Sequence, residues 1–109
     1  MSDETRAKIL SNDELATALA KLKDWKEVEA EDAIRKLYTF RDFDAAFSFM
    51  IRVAEHARKM NHHPTWINAY KRVDVVLTTH DLGGVSTLDI RMAHLMDEAA
   101  AAEGAQSGS

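Results

Sequence analysis

Three of the five histidines fall within one short stretch: His62 and His63 are adjacent, immediately before Pro64, and His80 closes the next strand-like run. A free imidazole titrates near neutrality, with a reference pKa of about 6.5, so each can donate a proton, accept one or bind a metal. His56 and His94 lie inside helix-patterned segments and read as surface or satisfied core residues. The adjacent pair is set apart by the proline after it. A proline at a helix exit fixes the direction of the backbone, and a fixed backbone suits a preorganised site.

Three imidazoles around an open position are also the ligand set of some catalytic zinc sites. Against that use, neighbouring residues in extended chain point apart, and the i, i+4 histidine pair of the helical zinc motif is absent. No nearby glutamate stands out as a general base. With no cysteine in the chain, thiol nucleophiles, disulfides and cysteine-bearing metal sites are excluded. Proton transfer by histidine needs no metal, and a histidine-metal hydrolase remains the alternative on the same residues.

Such side chains need elements to hold them. Ser11-Asn12-Asp13-Glu14 has the form of a capping box and predicts a first helix running to about Lys23. Leu15, Leu19 and Leu22 recur in it at helical spacing, supported by alanines. Residues 25–28 and 33–40 flank an acidic turn and read as a hairpin. In its second run Ile34, Lys36, Tyr38 and Phe40 share one face and Arg35, Leu37 and Thr39 the other. From Asp42 the period becomes helical, and Phe43, Ala46, Phe47, Met50, Val53, Ala54 and Ala57 form one apolar stripe predicted to face the core. That helix should end near Met60, because Pro64 disfavours helical geometry at His63.

A second hairpin is predicted from residues 66–69 and 73–79, joined by Tyr70-Lys71-Arg72. Val73, Val75 and Leu77 lie on one of its faces, and Val76, Thr78 and His80 on the other. Gly83-Gly84 marks a turn, and Ser86-Thr87-Leu88-Asp89 is a second capping box, opening a last helix through Leu95 and Met96 into the alanine run. Helix, hairpin, helix, hairpin, helix is the order of an α+β domain, with antiparallel strands on one side and helices on the other.

The chain has 109 residues, room for a single domain, with a folded part expected over about 10–102 and an unstructured tail at 103–109. A core of this size leaves a marginal surface-to-volume ratio, so self-association is expected. The net charge of -4, from 18 acidic and 14 basic residues, gives no broad positive field, and direct binding of nucleic acid is not expected. The acidic start lacks a secretory pattern, and no run approaches the roughly 20 apolar residues of a membrane span. A soluble, cytoplasmic protein is the expectation.

Taken together, Asn61-His62-His63-Pro64-Thr65-Trp66-Ile67-Asn68, Tyr70, Val73, Val75, Leu77, Thr79-His80, Gly84 and Asp89 resemble the pterin-4a-carbinolamine dehydratase family. The likeness extends back through Phe40, Phe43, Ala46, Phe47 and Met50 to Trp25, nearly the whole folded chain. His-His-Pro alone is weak, whereas the spaced set through Thr79-His80 and Asp89 is specific.

The resemblance implies a four-stranded antiparallel sheet with three helices packed on one face, assembled as a homodimer or homotetramer. It implies a cofactor-free lyase that dehydrates 4a-hydroxytetrahydrobiopterin, or a related 4a-hydroxytetrahydropterin, downstream of an aromatic amino acid hydroxylase. His62 and His80 match the family's acid/base histidines, and His63 the one that orients the pterin. Trp66, Asp89 and Asn61 match substrate-binding positions, although Asp89, three residues after Ser86, also suits the carboxylate of a capping box. Animal members carry an acid where Arg58 stands and an arginine where Leu88 stands, which bears on partner binding and on tuning of the site. Those animal proteins also act as dimerisation partners of a transcription factor, so a protein-binding module is a further alternative.

Overall fold

Alternation with a period of two is what makes β4, Arg72–Leu77, a central strand: Val73, Val75 and Leu77 are all fully buried on one face. In the computed structural model, which describes residues 7–106, β4 pairs with β2, Ala33–Thr39, on one side and with β3, Thr65–Ala69, on the other. The short strand β1, Lys26–Val28, completes an antiparallel sheet of order β1-β2-β4-β3. Its apolar face is covered by α1, Asn12–Leu19, α2, Phe43–Met60, and α3, Thr87–Ala102. This is the α+β architecture that the sequence predicts.

Between the layers lie Ile34, Tyr38 and Phe40 from β2 and its end, Phe49 and Val53 from α2, and Met92 and Met96 from α3. Lys36 shares the helix-facing side of β2 and is partnered there: its Nζ lies 2.9 Å from Asp97 Oδ1 on α3. The same carboxylate oxygen accepts from Trp25 Nε1 at 3.1 Å and from the Tyr38 hydroxyl. Burial, followed by the Asp97 contact, pushes the Tyr38 phenol well above its ordinary value. This cluster ties the β1–β2 hairpin to the last helix.

Local chemistry sets the element ends. Both predicted capping boxes form, Ser11 with Glu14 and Ser86 with Asp89. Asp42 caps α2 by accepting from the Ala45 amide at 2.8 Å. α1 stops at Leu19, short of the expected Lys23, and the chain then passes through Asp24 at φ 65°. Leu22 is nevertheless buried, carried inward by the turn rather than by the helix.

One expectation needs correcting. On α2 the buried side chains are Ala45, Ala46, Phe49, Val53 and Ala57, with Met50 packed against the core. Ala46, Met50, Val53 and Ala57 of the predicted stripe do lie inward, while its other edge is replaced by Ala45 and Phe49. Phe43, Phe47 and Ala54 face outward, and Phe49 is the aromatic in the core. The helix is apolar around more than one face, and packing against β2 and β4, not periodicity, selects the face that goes in. At the other end of the chain, Glu103 pairs with Arg52, and the Gln106 amide donates to the Thr39 carbonyl at 2.8 Å. The segment after α3 is thus held to the body as far as residue 106; residues 107–109 lie outside the described part.

Candidate active site

Strand pairing explains why the histidines meet. Thr65, at the start of β3, lies opposite Val76, near the end of β4, so the residues leading into β3 sit beside those leaving β4. The chain leaves α2 through Asn61 in the left-handed region, φ 52°, with both the Asn61 and His62 amides donating to the Ala57 carbonyl. Asparagine is among the few side chains that tolerate this conformation, which ends the helix one residue before the pair. After β4, the Thr79 amide donates to the Gly84 carbonyl at 2.9 Å, and His80–Leu82 forms a short 3-10 turn closed by Gly83 at φ 76°.

His62, His63 and His80 thereby wall one open cavity of about 260 Å³, with Asn61 beside the pair and residues 78–81 opposite. His63 and His80 are exposed, and among the described residues neither ring has a hydrogen-bond partner. Both can exchange protons with water. His62 differs: it is only 8 % exposed, and its Nε2 lies 2.6 Å from Asp89 Oδ1.

Asp89 is fully buried and every contact of its carboxylate is directional. Oδ2 accepts from the Ser86 amide and from the Thr79 hydroxyl, each at 2.8 Å. With Oδ2 facing two donors, Oδ1 is left to accept from His62, so the His62 ring has a proton on Nε2, and in the neutral ring Nδ1 is the unprotonated nitrogen. No described side chain bonds Nδ1, and no buried polar atom lacks a partner. Nδ1 is therefore open to the cavity, and in the neutral ring it is an acceptor beside the rings of His63 and His80. Such a pair, carboxylate behind imidazole, has the geometry in which an aspartate fixes the orientation and tautomer of a general base.

Of the six residues singled out in the sequence, Asn61, His62, His63 and His80 come together on the cavity wall. Asp89 lies behind His62 with no surface of its own. Trp66 is half-buried against the hydrophobic core and is not part of the wall. Two contributors were not singled out for chemistry, Thr79 and Ser86. Thr79 has the parity of Val73, Val75 and Leu77, which implies a hydroxyl turned inward and in need of a partner. Among the described residues no three His, Asp, Glu or Cys side chains are grouped closely enough to hold a metal.

The profile of the family described as "Pterin 4 alpha carbinolamine dehydratase" matches residues 8–99, a span that includes the whole cavity and Asp89. The chain belongs to this family. Within the pterin-4a-carbinolamine dehydratase family, a Bordetella avium protein assigned that activity by name is 56% identical over 92 residues, 84% of this chain and 85% of that one. A Bradyrhizobium protein named in the same way is 53% identical over 92 residues, 84% of this chain and 93% of that one. A crystal structure from Brucella melitensis, described as a transcriptional coactivator/pterin dehydratase, superposes with a TM-score of 0.83 at 45% identity. It covers 85% of this chain and 99% of that one. The pterin-4a-carbinolamine dehydratase fold is thus shared along nearly the whole described chain.

Proposed function

We propose that the protein is a hydro-lyase acting on 4a-hydroxytetrahydrobiopterin or a related 4a-hydroxytetrahydropterin, and releasing water and the quinonoid dihydropterin. The observation that carries this reading is the cavity with three imidazoles, one of them backed by a buried carboxylate. Family membership supplies the substrate class.

In the reaction the C4a–O bond breaks, the hydroxyl leaves as water after receiving a proton, and N5 gives up its own proton as electrons move into the ring. One group must donate and another accept. His62, with Nδ1 bare and its ring fixed by Asp89, is assigned as the acceptor of the N5 proton. His80, exposed and able to recover a proton from water, is assigned as the donor to the departing oxygen. His63 and Asn61 hold the heterocycle at the rim. Asp89 acts through His62 rather than on the substrate, and Trp66 belongs to the frame of the site. The residues suffice for acid/base catalysis alone, which typically contributes about 10²–10⁴-fold.

The test is direct. A hydroxylase generates the 4a-hydroxytetrahydropterin, and formation of the quinonoid product is followed by its absorbance. His62→Ala and His80→Ala are each expected to lower kcat by about 10²–10⁴-fold. Absence of acceleration by the unaltered protein would reject the reading, and unchanged turnover in both variants would reject the assigned roles.

A second role is favoured by a different observation. Phe43, Phe47 and Ile51 make an exposed apolar row along α2, each between 41% and 52% accessible. Self-association through this row, giving a homodimer or homotetramer, is proposed alongside catalysis. A coactivator role, stated for the Brucella protein, would use the same kind of surface and leave the cavity free.

A further inference from the structure

We infer that Thr79 and Ser86 are positioning residues: a buried hydroxyl relay that, through Asp89, holds the His62 ring in one tautomer with Nδ1 turned to the cavity. The order of hydrogens in this relay is determined by its members. Asp89 Oδ2 can only accept, so the Thr79 hydroxyl hydrogen is committed to it at 2.8 Å. Thr79 Oγ1 also lies 2.6 Å from Ser86 Oγ. With the Thr79 hydrogen already spent, Ser86 must donate in that contact. Ser86 Oγ in turn accepts from the Leu88 amide at 3.2 Å, which leaves its hydrogen for Thr79.

Helix capping alone does not require this arrangement. The capping box needs only Ser86 Oγ on a backbone amide and Asp89 on the Ser86 amide. Thr79 lies just after β4, at the entry to the 3-10 turn, and ties the cap to the segment that presents His80. Two donors on Oδ2, one from main chain and one from Thr79, fix the plane of the carboxylate and direct Oδ1 at His62 Nε2. Removal of the Thr79 donor leaves one bond, about which the carboxylate can rotate. Thr79 and Ser86 themselves are buried beneath the site, so they act through Asp89 and His62.

The consequence for turnover rests on the dehydratase reading, whereas the tautomer is a property of the free protein, and the experiment separates the two. The full chain is labelled with ¹⁵N at histidine, and the His62 ring nitrogens are observed without any pterin, in unaltered protein, Thr79→Val and Thr79→Ser. Unaltered protein and Thr79→Ser are expected to show a proton on Nε2 and a bare Nδ1. In Thr79→Val, nearly the same shape without the hydroxyl, the ratio of the other tautomer should rise by about tenfold. In the pterin assay kcat of Thr79→Val should fall by about tenfold with KM changed by less than about twofold, and Thr79→Ser should restore it.

A Thr79→Val spectrum identical to that of unaltered protein overturns the relay, as does a Thr79→Ser protein that behaves like Thr79→Val. If Thr79→Val does not fold, Ser86→Ala is measured instead. It removes the donor that anchors Thr79 Oγ1, so the Thr79 hydroxyl holds the Asp89 carboxylate less firmly. The tautomer is expected to shift in the same direction, and no shift overturns the relay. A Thr79-dependent tautomer in a protein that does not dehydrate the pterin supports the relay and rejects the dehydratase reading alone.

Discussion

At the scale of single residues, the carboxylate of Asp89 is where stability and chemistry meet. It accepts three hydrogen bonds, from His62, Thr79 and the Ser86 amide, with none of its surface exposed. Asp89→Asn keeps the shape and reverses one end of the hydrogen-bond pattern. If the new NH₂ faces Ser86 and Thr79 it opposes two donors; if it faces His62, the ring must move its proton to Nδ1. The first outcome sets two donors against an NH₂, so the second is favoured, and it removes the acceptor from the cavity. We expect kcat to fall by about 10²–10⁴-fold and stability by about 1–3 kcal/mol. Turnover within about threefold of the unaltered enzyme would show that the tautomer of His62 has no part in the reaction.

A surface pair gives the opposite kind of residue-level effect, one on stability only. Asp74 on β4 accepts from Arg35 on β2, and that hydrogen bond holds its carboxyl below the ordinary value of 3.8. A carboxylate with a lowered value in the folded state stabilises the fold above its unfolded value, and that contribution disappears as pH falls through the lowered one. Thermal melts of unaltered protein and Asp74→Asn should therefore differ above about pH 4 and converge as the acid end is approached. The difference should be small, since Arg35 is largely in water. A gap that widened with acid would contradict the assignment.

At the scale of elements, the sequence was readable wherever one residue or one period decided the outcome. Both capping boxes, the alternation of Val73, Val75 and Leu77, and the exit before His62-His63-Pro64 are signals of this sort, and all four strands are consistent with them. Strand pairing then brings the residues before β3 beside those after β4, which is why a cluster of histidines in sequence is also a cluster in space. The features that could not be read were decided between elements. The rotation of α2 depends on which of two apolar faces fits the sheet, and the bond from Asp89 to His62 joins positions 27 residues apart. Ser86 and Asp89 carry a complete local explanation as a cap, so nothing in the spacing points to a second use. The α2 assignment can be checked energetically. Phe49→Ala should cost about 3–5 kcal/mol in denaturant unfolding, as for a fully buried aromatic, whereas Ala54→Ser should change stability by less than about 0.5 kcal/mol. Comparable losses would restore the stripe that periodicity suggests.

At the scale of the whole molecule, the rotation of α2 leaves Phe43, Phe47 and Ile51 outside, four residues apart along one side of the helix, with the Phe43 and Phe47 rings stacked at 5.7 Å between centroids. A chain of 109 residues has little apolar surface to waste, and contiguous exposed patches of this kind mark association surfaces more often than solvent faces. Phe47 precedes Asn61 by 14 positions, about 21 Å along a helix, so the row and the cavity lie toward opposite ends of α2. Assembly through the row and catalysis in the cavity should therefore separate. In light scattering the unaltered protein is expected to have the mass of two or more chains, and Phe47→Lys combined with Ile51→Lys to lower that mass. Circular dichroism and turnover per chain should persist, because both substitutions replace exposed side chains far from His62 and His80. A single-chain mass for the unaltered protein, or an unchanged mass for the double variant, would remove α2 as the assembly surface. Loss of turnover together with mass would mean instead that the cavity is completed by a second chain.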